Sequence, residues 1–468
     1  MQILEVLLYI ISIILIGITF SKRPIKKQHI AVLFSIAIIT LTLHLIFGGS
    51  RWQVFSLYFA VFVLGTVVYF KVIVNINLKT FVRIPVVFIL TLLIVVSLVS
   101  SFIFPVYEIP EPSGDYLIGT ESFVIDDELI LEAYTNDSSD YRKIKIQVWY
   151  PAEDTATYEQ APWLDDGIVV PRGLSKSIGL PYFILDHTKD IMSHSYIEAP
   201  LSKALEIYPV IIISHGWGGF RNIHTDFAEE LASLGYIVIG VDHTYGSVAT
   251  LFSDDEVAYL NPDALPLRED TPDFLDYATQ LVDTYASDIT ATINFLEKMN
   301  ASTSMSKFSG KLDLNNIGLI GHSTGGGAAV DIALDDDRIA SVIGLDAWVE
   351  PIDDVKLDNG FEMPSLFIRS GDWETGFNNK KLYELIDNSS NIPELYQING
   401  ITHYDFAMVY MYSPLTKNLG YTGELESEYL TSILKSMITD FFNETIKNDT
   451  NSNIDSNKWD EVIVVNTP

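Results

Sequence analysis

A serine that could act as a nucleophile stands in residues 317–329, which read Ile-Gly-Leu-Ile-Gly-His-Ser-Thr-Gly-Gly-Gly-Ala-Ala. An apolar, strand-like run ends in the pattern Gly-His-Ser-Thr-Gly, and small residues that can open a helix follow it. This order of strand, turn and helix is what a nucleophile elbow requires, in which a strained serine is exposed at the turn. Flanking glycines let the strand and the helix pass closely. We therefore predict that Ser323 is a nucleophile.

The serine needs a base, because a hydroxyl at its ordinary pKa is a weak nucleophile. His403 follows the strand-like run 395–398 after a short turn. In hydrolases built around such an elbow the histidine comes last in chain order, after the final strand. Every other histidine precedes Ser323, so His403 is the predicted general base.

Two aspartates could orient that histidine. Asp346 ends the first apolar run after the elbow, and Asp372 ends the next one. Both lie between Ser323 and His403, where chain order places the acid. Chain order therefore leaves the choice between Asp346 and Asp372 open.

An acyl-transfer site also needs two backbone N–H groups aimed at the oxygen on which negative charge develops. Thr324, directly after the predicted nucleophile, supplies one of them. The turn His-Gly-Trp-Gly-Gly at 215–219 follows the apolar run 210–214 and is placed to supply the other through Trp217. Trp217 and Thr324 are therefore the predicted oxyanion-hole residues.

No metal or other cofactor is predicted. The chain contains neither a His-Glu-x-x-His pattern nor an EF-hand loop, and acidic clusters such as 335–337 are more typical of solvated surfaces. The chain also contains no cysteine, which excludes disulfides, thiolate metal sites and a cysteine nucleophile.

The elements that must position these residues alternate from residue 208 onward. Nearly continuous apolar runs predict strands at 209–214, 236–241, 316–320, 340–345, 364–368 and 395–398. Helical patterns lie between or after them, at 227–234, 274–299 and 425–446. Buried strands separated by helices indicate a mostly parallel sheet covered on both faces, which is an α/β fold.

Four apolar runs occupy the beginning of the chain, at residues 3–20, 30–47, 54–74 and 84–104. Each has about the 18 to 20 residues that a helix needs to cross a bilayer, and a signal peptide accounts for at most the first. We predict a four-helix transmembrane anchor over 1–105 and a catalytic domain over 106–447. A polar, disordered tail is predicted over 448–468, with 462–465 as a short apolar exception. Residues 152–205 are irregular, and the sequence leaves open whether they form a lid.

Charge is distributed unevenly between these parts. Of 29 basic and 61 acidic residues, 8 and 1 lie in the first 105 positions, so the rest holds 21 and 60. Such an acidic remainder repels phosphate groups, which argues against nucleic acid binding. The first and third loops between the spans hold most of the Lys and Arg, and the second loop holds only Arg51. Positive loops favour the cytoplasm, so the catalytic domain is predicted on the extracellular side of the cell membrane.

Seven segments, in order between residues 148 and 406, carry a resemblance to a known family. They are Val-Trp-Tyr-Pro at 148–151, Gly-Leu-Ser-Lys-Ser-Ile-Gly at 173–179, Ile-Ser-His-Gly-Trp-Gly-Gly-Phe-Arg at 213–221, Val-Asp-His at 241–243, Ile-Gly-His-Ser-Thr-Gly-Gly at 320–326, Leu-Asp-Ala-Trp at 345–348 and Thr-His-Tyr-Asp-Phe at 402–406. With these segments the chain resembles the α/β-hydrolases of the platelet-activating-factor acetylhydrolase type, as a bacterial membrane-anchored relative. The resemblance implies an α/β-hydrolase fold preceded by four transmembrane helices.

The same resemblance implies roles for single residues. It matches Ser323 to the nucleophile, His403 to the base, Trp217 and Thr324 to the oxyanion donors, and it favours Asp346 over Asp372 as the acid. Two features depart from the plasma enzyme: Thr324 stands where that enzyme has Phe, and the four spans are foreign to a secreted protein.

The implied activity is that of a serine carboxylic ester hydrolase. Its expected substrate is a phospholipid or another lipid ester with a short or modified acyl chain. Two alternatives stay open, namely a general carboxylesterase or cutinase-like polyester hydrolase, and a non-catalytic membrane sensor that keeps the fold. The sequence sets neither the acyl length nor the oligomeric state.

Overall fold

The computed structural model describes residues 3–47, 51–301 and 306–466, without the side chains of 47 and 127–129. Contacts divide the chain into two compact units. The first unit contains the chain up to Tyr107, together with Phe183–Asp190 and Met411–Leu415. The second unit contains the remainder. The sequence predicts a single boundary at residue 105 and does not assign the two later segments to the first unit.

Four long apolar helices make up most of the first unit. They are α1 (Ile3–Phe20), α2 (Lys27–Phe47), α3 (Trp52–Val72) and α4 (Thr80–Ile103). All four are long and apolar enough to cross a membrane. Leu8, Leu57 and Leu64 are fully buried among these helices, whereas Phe62 and Phe88 are exposed on their outer surface. Large apolar side chains on the outside suit a helix that is surrounded by lipid.

A polar cluster joins three of these helices. His44 Nε2 lies 3.3 Å from the Glu5 carboxylate, and the Tyr58 hydroxyl lies 2.6 Å from His44 Nδ1. Arg51 also pairs with Glu5, and Glu5, His44 and Arg51 are all buried. An unpaired charge at such a position would be costly, and pairing reduces that cost. Glu5 is therefore neutralised within the unit.

A sheet of 11 strands forms the centre of the second unit. The strands of this unit are β1 (Leu117–Leu131), β2 (Tyr141–Ala152), β3 (Gln160–Pro162), β4 (Met192–Ile197), β5 (Tyr208–Ser214), β6 (Ile237–Asp242), β7 (Ala249–Ser253), β8 (Glu256–Tyr259), β9 (Leu312–His322), β10 (Ile339–Leu345), β11 (Ser365–Arg369), β12 (Glu394–Ile398) and β13 (Val462–Val464). Their order in the sheet is β13-β12-β11-β10-β9-β5-β6-β2-β1-β4-β3, and β7 and β8 form a separate hairpin. The run from β12 to β6 is parallel.

Helices cover both faces of this sheet. The remaining α-helices of the described residues are α5 (Val169–Ser177), α6 (Thr225–Ser233), α7 (Phe274–Ala301), α8 (Thr324–Ala333), α9 (Asp354–Asn359), α10 (Phe377–Asn388), α11 (Leu415–Asn418) and α12 (Ser427–Thr445). Val210 and Ile212 of β5 pack in the cluster that contains α7, α8 and α10, and Ile211 and Ile213 pack in the cluster that contains α6 and α12. Because both faces are covered, the strand is apolar at successive positions. The predicted α/β fold with a mostly parallel, helix-covered sheet is confirmed.

The structure departs from the sequence prediction at both ends of the sheet. The irregular stretch 152–205 supplies β3 and β4, which pair with each other antiparallel at one edge. At the other edge β13 pairs antiparallel with β12, and this strand lies within the apolar exception 462–465 to the predicted disordered tail. The tail is polar up to this short apolar run, and local composition does not reveal that a strand edge is available to pair with it.

Helix α6 buries three carboxyl groups beneath the sheet. Glu230 pairs with Lys435 at 3.2 Å, and Glu229 accepts a hydrogen bond from the Ser195 hydroxyl. Asp226 accepts a hydrogen bond from the Phe227 N–H at 3.0 Å. Burial raises the pKa of Asp226 to about 7, although the nearby Lys435 opposes this rise.

We expect Asp226→Asn to make the protein more stable at alkaline pH. The folded pKa of Asp226 lies above its unfolded value, so its stabilising effect is complete below about pH 4 and is lost as pH rises to about 7. The Asn variant lacks this loss, and its advantage in the free energy of unfolding should grow by ~2–4 kcal/mol over that range. Tryptophan fluorescence during thermal melting of the full chain in detergent micelles measures the effect.

The exposed Asp337→Asn is the matched control, and its melting curve against pH should run parallel to that of the wild type. If the curve for Asp226→Asn also runs parallel to the wild type from pH 4.5 to 8, the buried carboxyl does not titrate as described.

Candidate active site

The predicted site residues lie at the carboxyl ends of neighbouring parallel strands. Ser323 follows β9, Asp346 follows β10, Asp372 follows β11 and His403 follows β12. Trp217 follows β5, which flanks β9 on its other side. Parallel strands end at one common edge, where open α/β sheets bind their ligands. The alternation of strands and helices thus gathers residues that are far apart in the sequence.

Ser323 has the strained backbone of a nucleophile elbow. Its φ and ψ are 55° and −119°, a combination that side-chain-bearing residues rarely adopt. The Ser323 N–H donates to the Leu345 carbonyl at 3.0 Å, and its carbonyl accepts from the Trp348 N–H at 2.9 Å. Backbone contacts with the strand end of β10 therefore hold the sharp turn between β9 and α8.

Two glycines allow this turn to form. A Cβ atom at Gly321 would lie 2.3 Å from the Gly325 carbonyl oxygen, and one at Gly325 would lie 2.4 Å from the Ser214 carbonyl oxygen. Both distances are well below van der Waals contact with backbone atoms, which cannot swing away as a flexible side chain can. The close approach predicted for the flanking glycines is thus present on both sides of Ser323.

The His403 ring is hydrogen-bonded to Asp346. Its Nδ1 lies 2.9 Å from Asp346 Oδ2. The Asp346 carboxylate is inaccessible to solvent, and Ser370 donates to it twice, through its N–H at 2.8 Å and its hydroxyl at 2.6 Å. Asp346 also has a positive φ of 41°. Its carboxylate is therefore fixed in direction by contacts on both oxygens.

Asp372 reaches a different part of the same histidine. Its Oδ2 accepts a hydrogen bond from the backbone N–H of His403 at 3.0 Å. The next residue, Trp373, stacks on the His403 ring with a centroid distance of 4.9 Å and an interplanar angle of 13°. The structure thus brings Asp346 to the imidazole ring and Asp372 to the main chain.

His322 supports the histidine from inside the protein. Burial lowers the pKa of His322 well below its usual value, and the nearby His403 lowers it further. The ring is therefore neutral at pH 7, and its Nε2, 3.0 Å from the His403 carbonyl oxygen, acts as a donor. The His224 ring lies 5.7 Å from His322. Within residues 3–47, 51–301 and 306–466, no group of three or more His, Asp or Glu side chains is placed to hold a metal ion.

The glycine-rich turn after β5 lies directly beside the elbow. A Cβ atom at Gly216 would lie 2.9 Å from the Ser323 Cβ atom. Trp217 is the next residue of this turn, and Thr324 is the first residue of α8. The first N–H groups of a helix have no partner within the helix and can donate to a ligand. Trp217 directly follows Gly216 and Thr324 directly follows Ser323, so each is the sequence neighbour of one of the two residues in this contact.

Three residues of this arrangement have no role in the sequence prediction. Ser370 and Trp373 lie on either side of Asp372, just after β11. Their position after a predicted strand is the same signal that indicates Asp372. His322 lies inside the predicted elbow, and its position in the sequence does not indicate a role. Each of the three contacts His403 or Asp346 in a way that chain order does not reveal.

The sheet order, the elbow and the histidine after the last parallel strand define an α/β-hydrolase. A family model of platelet-activating factor acetylhydrolase, isoform II, matches residues 102–466. The chain belongs to this family.

Individual relatives agree with that assignment. The chain is 24% identical over 320 residues to the platelet-activating factor acetylhydrolase of Cavia porcellus, covering 64% of this chain and 68% of the relative. It is 25% identical over 144 residues to a probable 1-alkyl-2-acetylglycerophosphocholine esterase of Arthroderma benhamiae, covering 30% and 31%. The structure of a ferulic acid esterase from Streptomyces cinnamoneus has a TM-score of 0.63 at 20% identity, covering 77% of this chain and all of the other, and shares its fold. The chain is therefore a carboxylic ester hydrolase.

Proposed function

We propose that the chain is a membrane-anchored serine esterase in which Ser323, His403 and Asp346 transfer an acyl group from an ester to water. The 2.9 Å hydrogen bond between the His403 ring and the buried Asp346 carries this proposal. Because Nδ1–H donates a hydrogen bond to Asp346, the Nε2 atom carries no proton and has the free lone pair that a general base needs. Asp346 then stabilises the imidazolium that forms.

The reaction would proceed in two halves. His403 Nε2 takes the proton of Ser323 Oγ as that oxygen attacks the ester carbonyl, and the N–H groups of Trp217 and Thr324 bind the oxyanion. The C–O bond to the alcohol then breaks, and the alcohol leaves with the proton from His403. Water attacks the acyl-enzyme with the same base, which releases the acid and restores Ser323.

The proposed substrate is a glycerophospholipid or another lipid ester with a short or modified acyl chain. The matched relatives are named for the hydrolysis of platelet-activating factor and of 1-alkyl-2-acetylglycerophosphocholine. Four helices able to cross a membrane would keep the catalytic unit close to lipid. Both observations favour a substrate that is dispersed in or near a bilayer.

A fluorophosphonate probe tests the nucleophile. We expect it to label Ser323 in the folded full chain and to leave Ser323→Ala unlabelled, since phosphonylation requires an activated serine. Mass spectrometry of the labelled peptide locates the modification. An unlabelled wild-type protein would favour the non-catalytic sensor.

A substrate panel tests the ester class on the full chain in micelles. The panel contains phospholipids with acetyl and with long acyl groups at the second position, soluble short-chain esters and a polyester. We expect the highest kcat/KM for the acetyl phospholipid. Hydrolysis of the soluble esters with none of the lipid dispersions would instead indicate a general carboxylesterase.

We further propose that residues 1–105 are a four-span anchor and that the catalytic unit lies outside the cell. The loop between α1 and α2 holds Lys22, Arg23 and Lys26, whereas the loop between α2 and α3 holds only Arg51. The Lys and Arg residues of the first loop favour the cytoplasmic side, and the second loop has little positive charge that would favour the opposite orientation.

Protease added to intact cells that express the chain tests this topology. We expect the catalytic unit to be digested, because it is exposed to the medium. Protection in intact cells combined with cleavage after lysis would mean that the orientation is reversed.

A further inference from the structure

A second hydrogen-bonded set of serine, histidine and aspartate lies beside the turn that carries Trp217. The Ser214 hydroxyl is 2.8 Å from His243 Nε2, and His243 Nδ1 is 2.9 Å from Asp288 Oδ2. Ser214, His243 and Asp288 are at most 1% exposed. An ester cannot reach a buried serine, so Ser214 cannot act as a nucleophile.

The direction of each hydrogen bond in the set is fixed. Arg142 donates to both oxygens of Asp288, at 2.8 and 2.7 Å. Burial raises the pKa of Asp288, but the attraction of Arg142 outweighs it, so the pKa lies below its usual value and the carboxylate is ionised. Burial lowers the pKa of His243, which leaves that ring neutral. The His243 Nδ1–H group therefore donates a hydrogen bond to Asp288, and His243 Nε2 accepts a hydrogen bond from the Ser214 hydroxyl.

Two members of this set, Ser214 and His243, connect it to the turn 215–219. Ser214 is the last residue of β5 and directly precedes the turn. His243 begins the segment 243–248, which holds the turn through three contacts. These are Gly218 N–H to the Gly246 carbonyl at 2.8 Å, Val248 N–H to the Gly219 carbonyl at 3.0 Å, and the Ser247 hydroxyl to His215 Nε2 at 2.9 Å.

Tyr285 of α7 limits the movement of the same segment. Its ring stacks on His243 with a centroid distance of 3.7 Å and an interplanar angle of 12°. A Cβ atom at Gly246 would lie 2.3 Å from the Tyr285 hydroxyl oxygen, so the segment lies tightly against the ring. Tyr285 thus contacts both the His243 ring and the backbone at Gly246, whose carbonyl accepts the Gly218 N–H of the turn.

We infer that Ser214, His243 and Asp288 are positioning residues that set the place of the Trp217 N–H relative to Ser323. The inference rests on the proposed function, because it assigns the turn to the oxyanion hole of that same reaction. Oxyanion donors contribute only when they lie at hydrogen-bond distance from the developing charge, and a displacement of about 1 Å can cost about 100-fold in rate. A rigid support under the turn supplies that accuracy.

Ser214→Ala tests the inference in the full chain, with Ser341→Ala as the matched control. Ser341 is equally buried, lies on β10 of the same sheet and bonds to the Thr445 hydroxyl, away from the turn. We expect Ser214→Ala to lower kcat about 10- to 100-fold with KM within about twofold. The Ki of a trifluoromethyl ketone, whose adduct with Ser323 carries an oxyanion, should rise by the same factor as kcat/KM falls. Ser341→Ala should lower the melting temperature to a similar extent and leave kcat and Ki near wild type.

Ser247→Ala, which removes the hydroxyl that contacts His215, provides a second variant if Ser214→Ala does not fold, and the same pattern is expected from it. If Ser214→Ala, or Ser247→Ala in its place, has the same kcat as Ser341→Ala, the inference is overturned. A fall in kcat with an unchanged Ki for the trifluoromethyl ketone would also overturn it. Wild-type protein that a fluorophosphonate does not label at Ser323 would overturn the proposed function itself. If the wild type is labelled and Ser214→Ala, or Ser247→Ala in its place, is fully active, only the positioning role is overturned.

Discussion

Asp346→Asn is expected to lower kcat about 10⁴-fold with little change in KM, because an amide cannot hold the imidazole in the required tautomer or stabilise its charged form. Asp372→Asn is expected to leave kcat within about 10-fold, since an Asn oxygen can still accept the His403 N–H as the Asp372 carboxylate does. Steady-state kinetics of both variants on one short-chain ester measures the difference. The two residues end adjacent strands, so the pair is its own matched control.

The opposite result would move the acid to β11. A large loss in Asp372→Asn with an active Asp346→Asn would mean that the ring turns toward Asp372 when substrate binds. Ser370→Ala refines the comparison, because it removes one of the two donations that Ser370 makes to Asp346 and leaves the acid in place. A smaller loss than in Asp346→Asn is expected from it.

The second large effect concerns strain at the nucleophile. Ser323→Gly is expected to abolish turnover, with a loss of up to about 10⁶-fold, and at the same time to raise the melting temperature. Glycine adopts φ = 55° and ψ = −119° without the cost of about 1–3 kcal/mol that a side chain incurs there. Ser323→Ala should be equally inactive without the gain, because it keeps the Cβ atom. Thermal melting of the three proteins in micelles separates the two effects.

Ser341→Gly controls for the general effect of glycine. Ser341 lies in β10 and is not among the described residues with a positive φ, so glycine there should lower stability by about 0.5–1 kcal/mol. The strain account fails if Ser323→Gly melts no higher than Ser323→Ala.

The sequence predicted the placement of the site because strand ends are local features. Apolar runs located β5, β9, β10, β11 and β12 to within a few residues, and each candidate residue follows one of them. The pattern around Ser323 predicted a sharp turn, and the structure shows one. The order of strands in a parallel sheet then brings these ends together without further information from the side chains.

Contacts across the sheet were not predictable in the same way. Chain order allowed Asp346 and Asp372 equally, and only the hydrogen bond to the His403 ring separates them by geometry. The bond between Ser214 and His243 joins two strand ends, and Asp288 reaches it from the middle of α7. Single residues on separate elements give no periodic signal, so patterns along the chain cannot report such sets.

The pairing of β13 with β12 has a consequence for how the protein can be produced. A shortened chain that ends after α12 lacks the partner of Tyr396–Ile398 and presents unpaired N–H and C=O groups along that edge. Such an edge is a template on which a second molecule can add a strand, and the result is aggregation. Trimming the polar tail for crystallisation would therefore remove a cap, and an affinity tag is better attached beyond Val464 than in place of it.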